Sequence, residues 1–138
     1  MFDKNSFTYD SYTWVLEASG LFFNRKEVAI NIDTKVDTEH PDREIFEEQL
    51  ATLNSIAANW DEIVEKVKKE IVTYENISVE EFQKVADNPS IWFGMDYETN
   101  KPWKKNEWNF VVGVTESADF AWHVAFHGSE HYETWAGD

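Results

Sequence analysis

Apolar and polar positions along the chain alternate, then fall into a helical period, then alternate again. In "SYTWVLEA" Tyr12, Trp14 and Leu16 are interleaved with Thr13, Val15 and Glu17, the period of two that marks a half-buried strand. Ser19-Gly20 predicts an interruption, "LFF" resumes the run, and "NRKE" reads as a polar turn. In "VAINIDT" Val28, Ile30 and Ile32 face one way, and Ala29, Asn31 and Asp33 the other. Residues of about 12–34 are therefore expected to form a hairpin or small meander.

From Pro41 the period changes. Ile45, Phe46, Gln49, Leu50, Leu53, Ile56, Ala57 and Trp60 keep helical spacing, with polar residues between them. Pro41 suits a first helical position, where its missing N–H leaves no bond unmade. In "NWDE" Asn59 and Glu62 have the spacing of a capping box, which predicts a second helix burying Ile63, Val67, Ile71 and Tyr74. Ser78 and Glu81 repeat that spacing before Phe82, Val85 and Ala86, and Asn88-Pro89 reads as the stop. Helices are thus expected over about 41–87.

After Pro89 the alternation returns, with a strand meander expected over about 90–136. "SIWFGMDYE" sets Ile91, Phe93, Met95 and Tyr97 against Trp92, Gly94, Asp96 and Glu98. "TNKPWKKN" reads as a loop. "EWNFVVGVTE" sets Trp108, Phe110, Val112 and Val114 against Asn109, Val111, Gly113 and Thr115, and "SAD" is the next turn. The fold class that follows is α+β: one domain, 1–138, with a mainly antiparallel sheet of about five to six strands and the helices on one face. The expected core is Trp14, Leu16, Ile30, Ile32, Phe46, Leu50, Leu53, Val67, Ile71, Phe93, Phe110, Val112, Trp122, Val124 and Phe126.

"DFAWHVAFHGSEHYETW" holds His123, His127 and His131 at intervals of four. On a helix that interval brings two imidazoles onto one ion. Here Phe120, Trp122, Val124 and Phe126 alternate strictly with Ala121, His123, Ala125 and His127, and only a strand sorts them so cleanly. Four residues of strand span about 13 Å, too far for His123 and His127 to share a zinc at bonds of about 2 Å. Gly128-Ser129 fits a two-residue hairpin turn. It would pair residue 127 with 130 and send His131 to the opposite face. No metal site is expected.

Opposite the core faces, Gly94, Gly113, Ala121 and Ala125 would leave a shallow floor, with Trp92, Asp96, Asn109, His123, His127 and Tyr132 around it. Small residues ringed by aromatic and polar groups can accept a ligand or a partner's side chain. Trp103, in the lysine-flanked loop, is a further recognition candidate because exposed loops often carry binding residues. Trp92 and Trp103 fall on predicted exposed positions, and Trp135 is a third candidate for exposure. Carboxylates nearby would move the titration of His123 and His127 upward from about 6.5.

Composition narrows the function. Seven Trp and ten Phe supply a core too large for a disordered chain. No apolar run is long enough to span a membrane, the N-terminus lacks a signal-peptide core, and a cytoplasmic protein is expected. The absence of cysteine excludes disulfides and thiolate chemistry. A net charge of −15 repels nucleic acid and anionic lipid, and attracts basic partners. There is no phosphate-binding glycine loop or nucleophile elbow. Glu47-Glu48 and Glu80-Glu81 read as solvated helix faces, not as an acid/base couple. No cofactor and no catalytic residue are assigned.

In layout, "GLFFNRKEVAINID", then "LNSIAANWDEIVEKVKKEI", a short capped helix and an aromatic meander ending "HYETWAGD" resemble small bacterial domains of unknown function. The same order is similar to that of small acidic immunity proteins that accompany bacterial toxins. The resemblance covers about residues 12–138 and implies a non-catalytic inhibitor or immunity protein for a basic toxin. The alternative expectation is a small-ligand-binding protein using the open sheet face.

Overall fold

The computed structural model describes the backbone of residues 8–10, 13–22, 25–32, 43–96, 98, 101–103 and 106–137, and the side chains of 28–30, 47–94, 98, 103 and 106–137. Strands β1 (Thr8–Asp10), β2 (Thr13–Phe22) and β3 (Arg25–Ile32) come first. Helices α1 (Arg43–Ala58), α2 (Trp60–Glu75) and α3 (Val79–Val85) follow. The chain continues with β4 (Ala86–Phe93), β5 (Met95–Asp96), β6 (Lys101–Pro102), β7 (Glu107–Val114), β8 (Ser117–His127) and β9 (Glu130–Gly137). One seven-stranded sheet runs β1-β2-β3-β4-β7-β8-β9, and β5-β6 form a separate ribbon. Every pair in the large sheet is antiparallel except β3–β4. That parallel pair needs a crossover, and the three helices supply it. The fold is α+β, with helices on one side of a mostly antiparallel sheet. No described helix is long and apolar enough to cross a membrane.

Several boundaries differ from the sequence expectations. Ser19-Gly20 does not break β2; the strand runs through it with a register irregularity between Ser19 and Phe22. Arg25, read as part of a turn, already pairs with Phe22. Asn88-Pro89 does not end a helix but sits inside β4, where pairing slips between Asp87 and Ser90. Asn88 takes a left-handed φ of 44° there, so Pro89 occupies an irregularity, where a missing N–H leaves no ladder bond unmade. The strand expected to continue through "GMDYE" leaves the sheet at Gly94. Met95-Asp96 turn aside to pair with Lys101-Pro102, two residues expected in a loop. "SAD" is strand, and Thr115-Glu116 make the turn before it.

The core lies between helices and sheet. Ile63, Val67 and Ile71 of α2, Leu53 and Ile56 of α1, and Phe82 of α3 meet Ile30, Ile91, Phe93, Trp108, Phe110, Val112, Trp122, Val124 and Phe126. Trp60, half-buried, packs its ring 6.0 Å from Phe110. Phe82 meets Trp122 edge-on at 5.6 Å, and the Trp122 indole N–H donates to Glu75 Oε1 at 2.9 Å. Leu50 packs at the margin of this cluster. The side chains of Trp14, Leu16, Ile32 and Phe46, and Pro41 altogether, lie outside the described residues. Tyr74, expected in the core, is 49% exposed.

One of the two sequence caps forms. The Glu81 N–H donates to Ser78 Oγ at 3.1 Å, while the Ser78 hydroxyl donates to Glu81 Oε1. Asn59 makes no side-chain cap. Its Nδ2 donates backward to the Ser55 carbonyl, and its backbone N–H reaches Ser55 and Ile56. The first turn of α2 therefore runs almost directly on from α1, and Asn59 is occupied closing the earlier helix.

Gln49 is fully buried on the sheet side of α1, with neither amide atom hydrogen-bonded among the described residues. An unpaired buried amide costs about 1–3 kcal/mol. Gln49→Met is expected to raise stability by about 1 kcal/mol, read as a higher urea midpoint at unchanged slope. An unchanged or lower midpoint would mean that the amide has a partner in solution.

Candidate functional site

The β8–β9 hairpin determines which side chains the face turned away from the helices carries. Gly128 takes φ 62°, His127 pairs with Glu130, and Phe126 with His131, as the two-residue turn predicts. The register then slips, and Ala125 pairs with Glu133 while His123 pairs with Trp135. Tyr132 is the extra residue of a β-bulge. Without it Thr134 would stand opposite His123 and Trp135 would point toward the helices. With it, Trp135 joins the open face and stacks on His123, centroids 5.1 Å apart and planes at 2°. Tyr132 stacks on His127 at 4.6 Å.

Next to the first of these stacks the open face forms a groove of about 770 Å³. Trp92 on β4 and Trp103 after β6 stand on one side, and His123 and Trp135 on the other; Asn109, Val111 and Ala121 lie between. Asp119 and Phe120 line the end toward the start of β8. Each wall has a local cause. Trp92 pairs with Asn109 of β7, and its indole N–H donates to Ser90 Oγ at 2.8 Å, laying the ring along its own strand. Trp103 folds back over Gly94: its backbone N–H donates to the Gly94 carbonyl at 3.0 Å. A Cβ on Gly94 would lie 3.1 Å from the Trp103 ring. Gly94 is thus the seat of an indole and not open floor. β7 separates the Trp92 and His123 backbones, which stand two strands and two residues of strand apart, about 12 Å.

His123 is the half-buried titratable group of the groove. Its Nε2 is shielded and has no hydrogen-bond partner among the described residues. Desolvation lowers its pKa from 6.5, against a smaller raising effect of a hydrogen bond to the Gly137 backbone. That contact favours the protonated ring, as a carbonyl acceptor does, so Nδ1 carries the proton and Nε2 is left with the lone pair. The expected upward shift from carboxylates is corrected for His123: burial lowers its pKa, and the opposing contribution comes from the Gly137 backbone.

The other histidines take separate places. His127 is exposed, 3.7 Å from Glu107. His131 stands on the helix side, where it approaches Glu70 of α2 at 3.4 Å and Thr134 at 2.7 Å. Among the described residues no three His, Cys, Asp or Glu converge as metal ligands do.

Of the sequence candidates, Trp92, Trp103, Asn109 and His123 come together in the groove. His127 and Tyr132, which is 63% exposed, form their own stack beside it and do not line it. The side chain of Asp96 lies outside the described residues. Trp135 and Asp119 line the groove without having been assigned to it. Strict alternation after a two-residue turn sends Trp135 to the wrong face, and no sequence signal places a bulge at Tyr132. A second, smaller cleft of about 290 Å³ between α1 and the Gly128-Ser129 turn holds none of the candidates. No protein-family model, curated protein or solved structure matches the chain.

The lowered pKa of His123 makes stability depend on pH. The folded state resists a proton that the unfolded chain accepts near 6.5, so the unfolded state binds more protons in that window. The stabilisation is present in full above 6.5 and is lost as pH falls through the folded pKa. Denaturation across pH 7.5 to 5 is expected to show wild type losing more stability than His123→Gln. Parallel curves for the two proteins would show that the imidazole is solvated in the folded state.

Proposed function

We propose that this protein is a non-catalytic recognition module that binds a basic protein partner through the open sheet face, as an inhibitor or immunity protein holds a toxin. The observation that carries the reading is the convergence of Trp92, Trp103, His123 and Trp135 on one groove in a chain of net charge −15. Partly exposed tryptophans, such as Trp92 at 39%, are the side chains that most often anchor interfaces. Glu47, Glu48, Asp61, Glu62, Glu65, Glu80 and Glu81 are all exposed on the helices, and such a field raises the encounter rate of a cationic partner. The groove offers stacking surfaces, one carboxylate and a shielded imidazole, a chemistry of holding more than of proton transfer. Its volume of about 770 Å³ also lies in the range of small-molecule sites, which supports binding of a free small ligand as the second reading.

Surface plasmon resonance with immobilised arginine-rich, lysine-rich and glutamate-rich peptides separates the readings. Both basic peptides are expected to bind at low salt and the acidic one not. Association should slow about tenfold as salt rises to screen charges beyond roughly 8 Å. Combined Glu47→Gln, Glu48→Gln, Asp61→Asn and Glu65→Gln replacement should slow it further. Failure of both basic peptides at low salt, or salt-independent association, would count against a basic partner.

A further inference from the structure

We infer that the groove is a receptor for a guanidinium group: an arginine side chain of the basic partner enters between the indole walls and meets the carboxylate of Asp119. This deepens the proposed function and rests on it. Among the described residues lining the groove the ionisable groups are Asp119 and His123. The carboxylate selects for a cation. The imidazole does not oppose one, because a proton on its shielded Nε2 would find neither water nor acceptor. The lining is aromatic: Trp92, Trp103 over Gly94, and His123 backed by Trp135. The His123–Trp135 rings stack across neighbouring strands, so the free face of the imidazole is turned toward β7 and the groove. A cation over such faces is attracted by their quadrupoles.

Shape separates arginine from lysine. Trp92 stands opposite Asn109 and His123 opposite Val111, so their backbones are two strands and two residues apart, about 12 Å, which leaves room between the aromatic side chains for a planar group at contact distances of about 3.5 Å. A guanidinium fills that slot with one flat, weakly hydrated plate, while its edge donors remain free for a carboxylate. An ammonium is compact and strongly hydrated, and must shed water to lie against the rings. Asp119 lines the groove at the end toward the start of β8, where a carboxylate can accept from the guanidinium's edge donors.

The test compares the arginine-rich and lysine-rich peptides, at equal length and charge, on wild type, Asp119→Asn, Trp103→Ala and Trp135→Ala. Each variant is first checked for a native denaturation midpoint. Wild type is expected to bind the arginine peptide at least about tenfold more tightly than the lysine peptide. Asp119→Asn, a change at an exposed position, should remove most of that preference whatever becomes of the tryptophan variants. Equal binding of both peptides, weakened by the helix carboxylate replacements but untouched by the groove variants, would overturn the inference and leave the basic-partner reading standing. Loss of all basic-peptide binding at low salt would remove that reading and the inference with it. Binding of a neutral oligosaccharide that depends on Trp103 and Trp135 would also overturn it, in favour of a stacking site for sugars.

Discussion

A buried indole holds the turn on which the open face depends. Trp108 is 1% exposed and stacks on Phe126 at 4.4 Å with planes at 8°. A donor so placed costs about 1–3 kcal/mol if unpaired, and its partner is the Gly128 carbonyl at 2.7 Å. The same glycine donates its N–H to the Asn106 carbonyl at 2.7 Å, and Lys66 of α2 reaches the Ser129 carbonyl at 2.8 Å. The turn is thus tied to β7, to the loop before it and to the helix layer. With both its ends fixed, β9 has one register near the turn, and the bulge at Tyr132 shifts every later residue by one. His131 and Thr134 then meet on the helix side, while Trp135 crosses to the other face.

The two layers carry different parts of the chemistry. The helices present carboxylates to solvent, several set against lysines at one-turn spacing, as in Glu62–Lys66 and Glu65–Lys68. Such exposed pairs add little stability, and what remains is a negative field over the surface. The groove on the open sheet face is lined by aromatic rings and holds one carboxylate among the described residues. A field acts at long range without discrimination, whereas a slot between rings acts only on contact and is selective. A protein that must find and then hold a cationic partner needs both.

Period separated strand from helix correctly wherever a segment was long and regular: α2, β7 and β8 were legible because their apolar residues sort by spacing alone. The open-face assignment of Trp92, Asn109 and His123 followed from the same alternation. What did not follow was anything set by a single irregular residue. Asn88 with its positive φ turns a helix stop into a strand irregularity. Gly94 marks a departure from the sheet that period-two counting passes straight through. The Tyr132 bulge reverses the phase of β9. Backbone irregularities of this kind are selected by tertiary contacts, and alternation carries no trace of them. The exposure of Tyr74 has a similar origin, since a helical stripe shows which residues share a face but not where the sheet beneath it ends.

The position of the groove traces to the strand order, which follows the chain apart from the β5-β6 ribbon. The helical crossover lays β4 alongside β3 in parallel, with Ala29 opposite Ser90 and Asn31 opposite Trp92, and leaves its other edge for β7. Trp92 therefore stands in the middle of seven strands, two away from His123 and three from Trp135. Beyond Phe93 the chain leaves the sheet at Gly94, the one residue there with no side chain, and comes back as a ribbon that lays Trp103 over it. A Cβ at position 94 would meet the indole at 3.1 Å and push it by a few tenths of an ångström. The groove is thus closed on one side by an absent Cβ and on the other by an extra residue in β9. Both irregularities interrupt regular secondary structure, and the aromatic walls exist because of them.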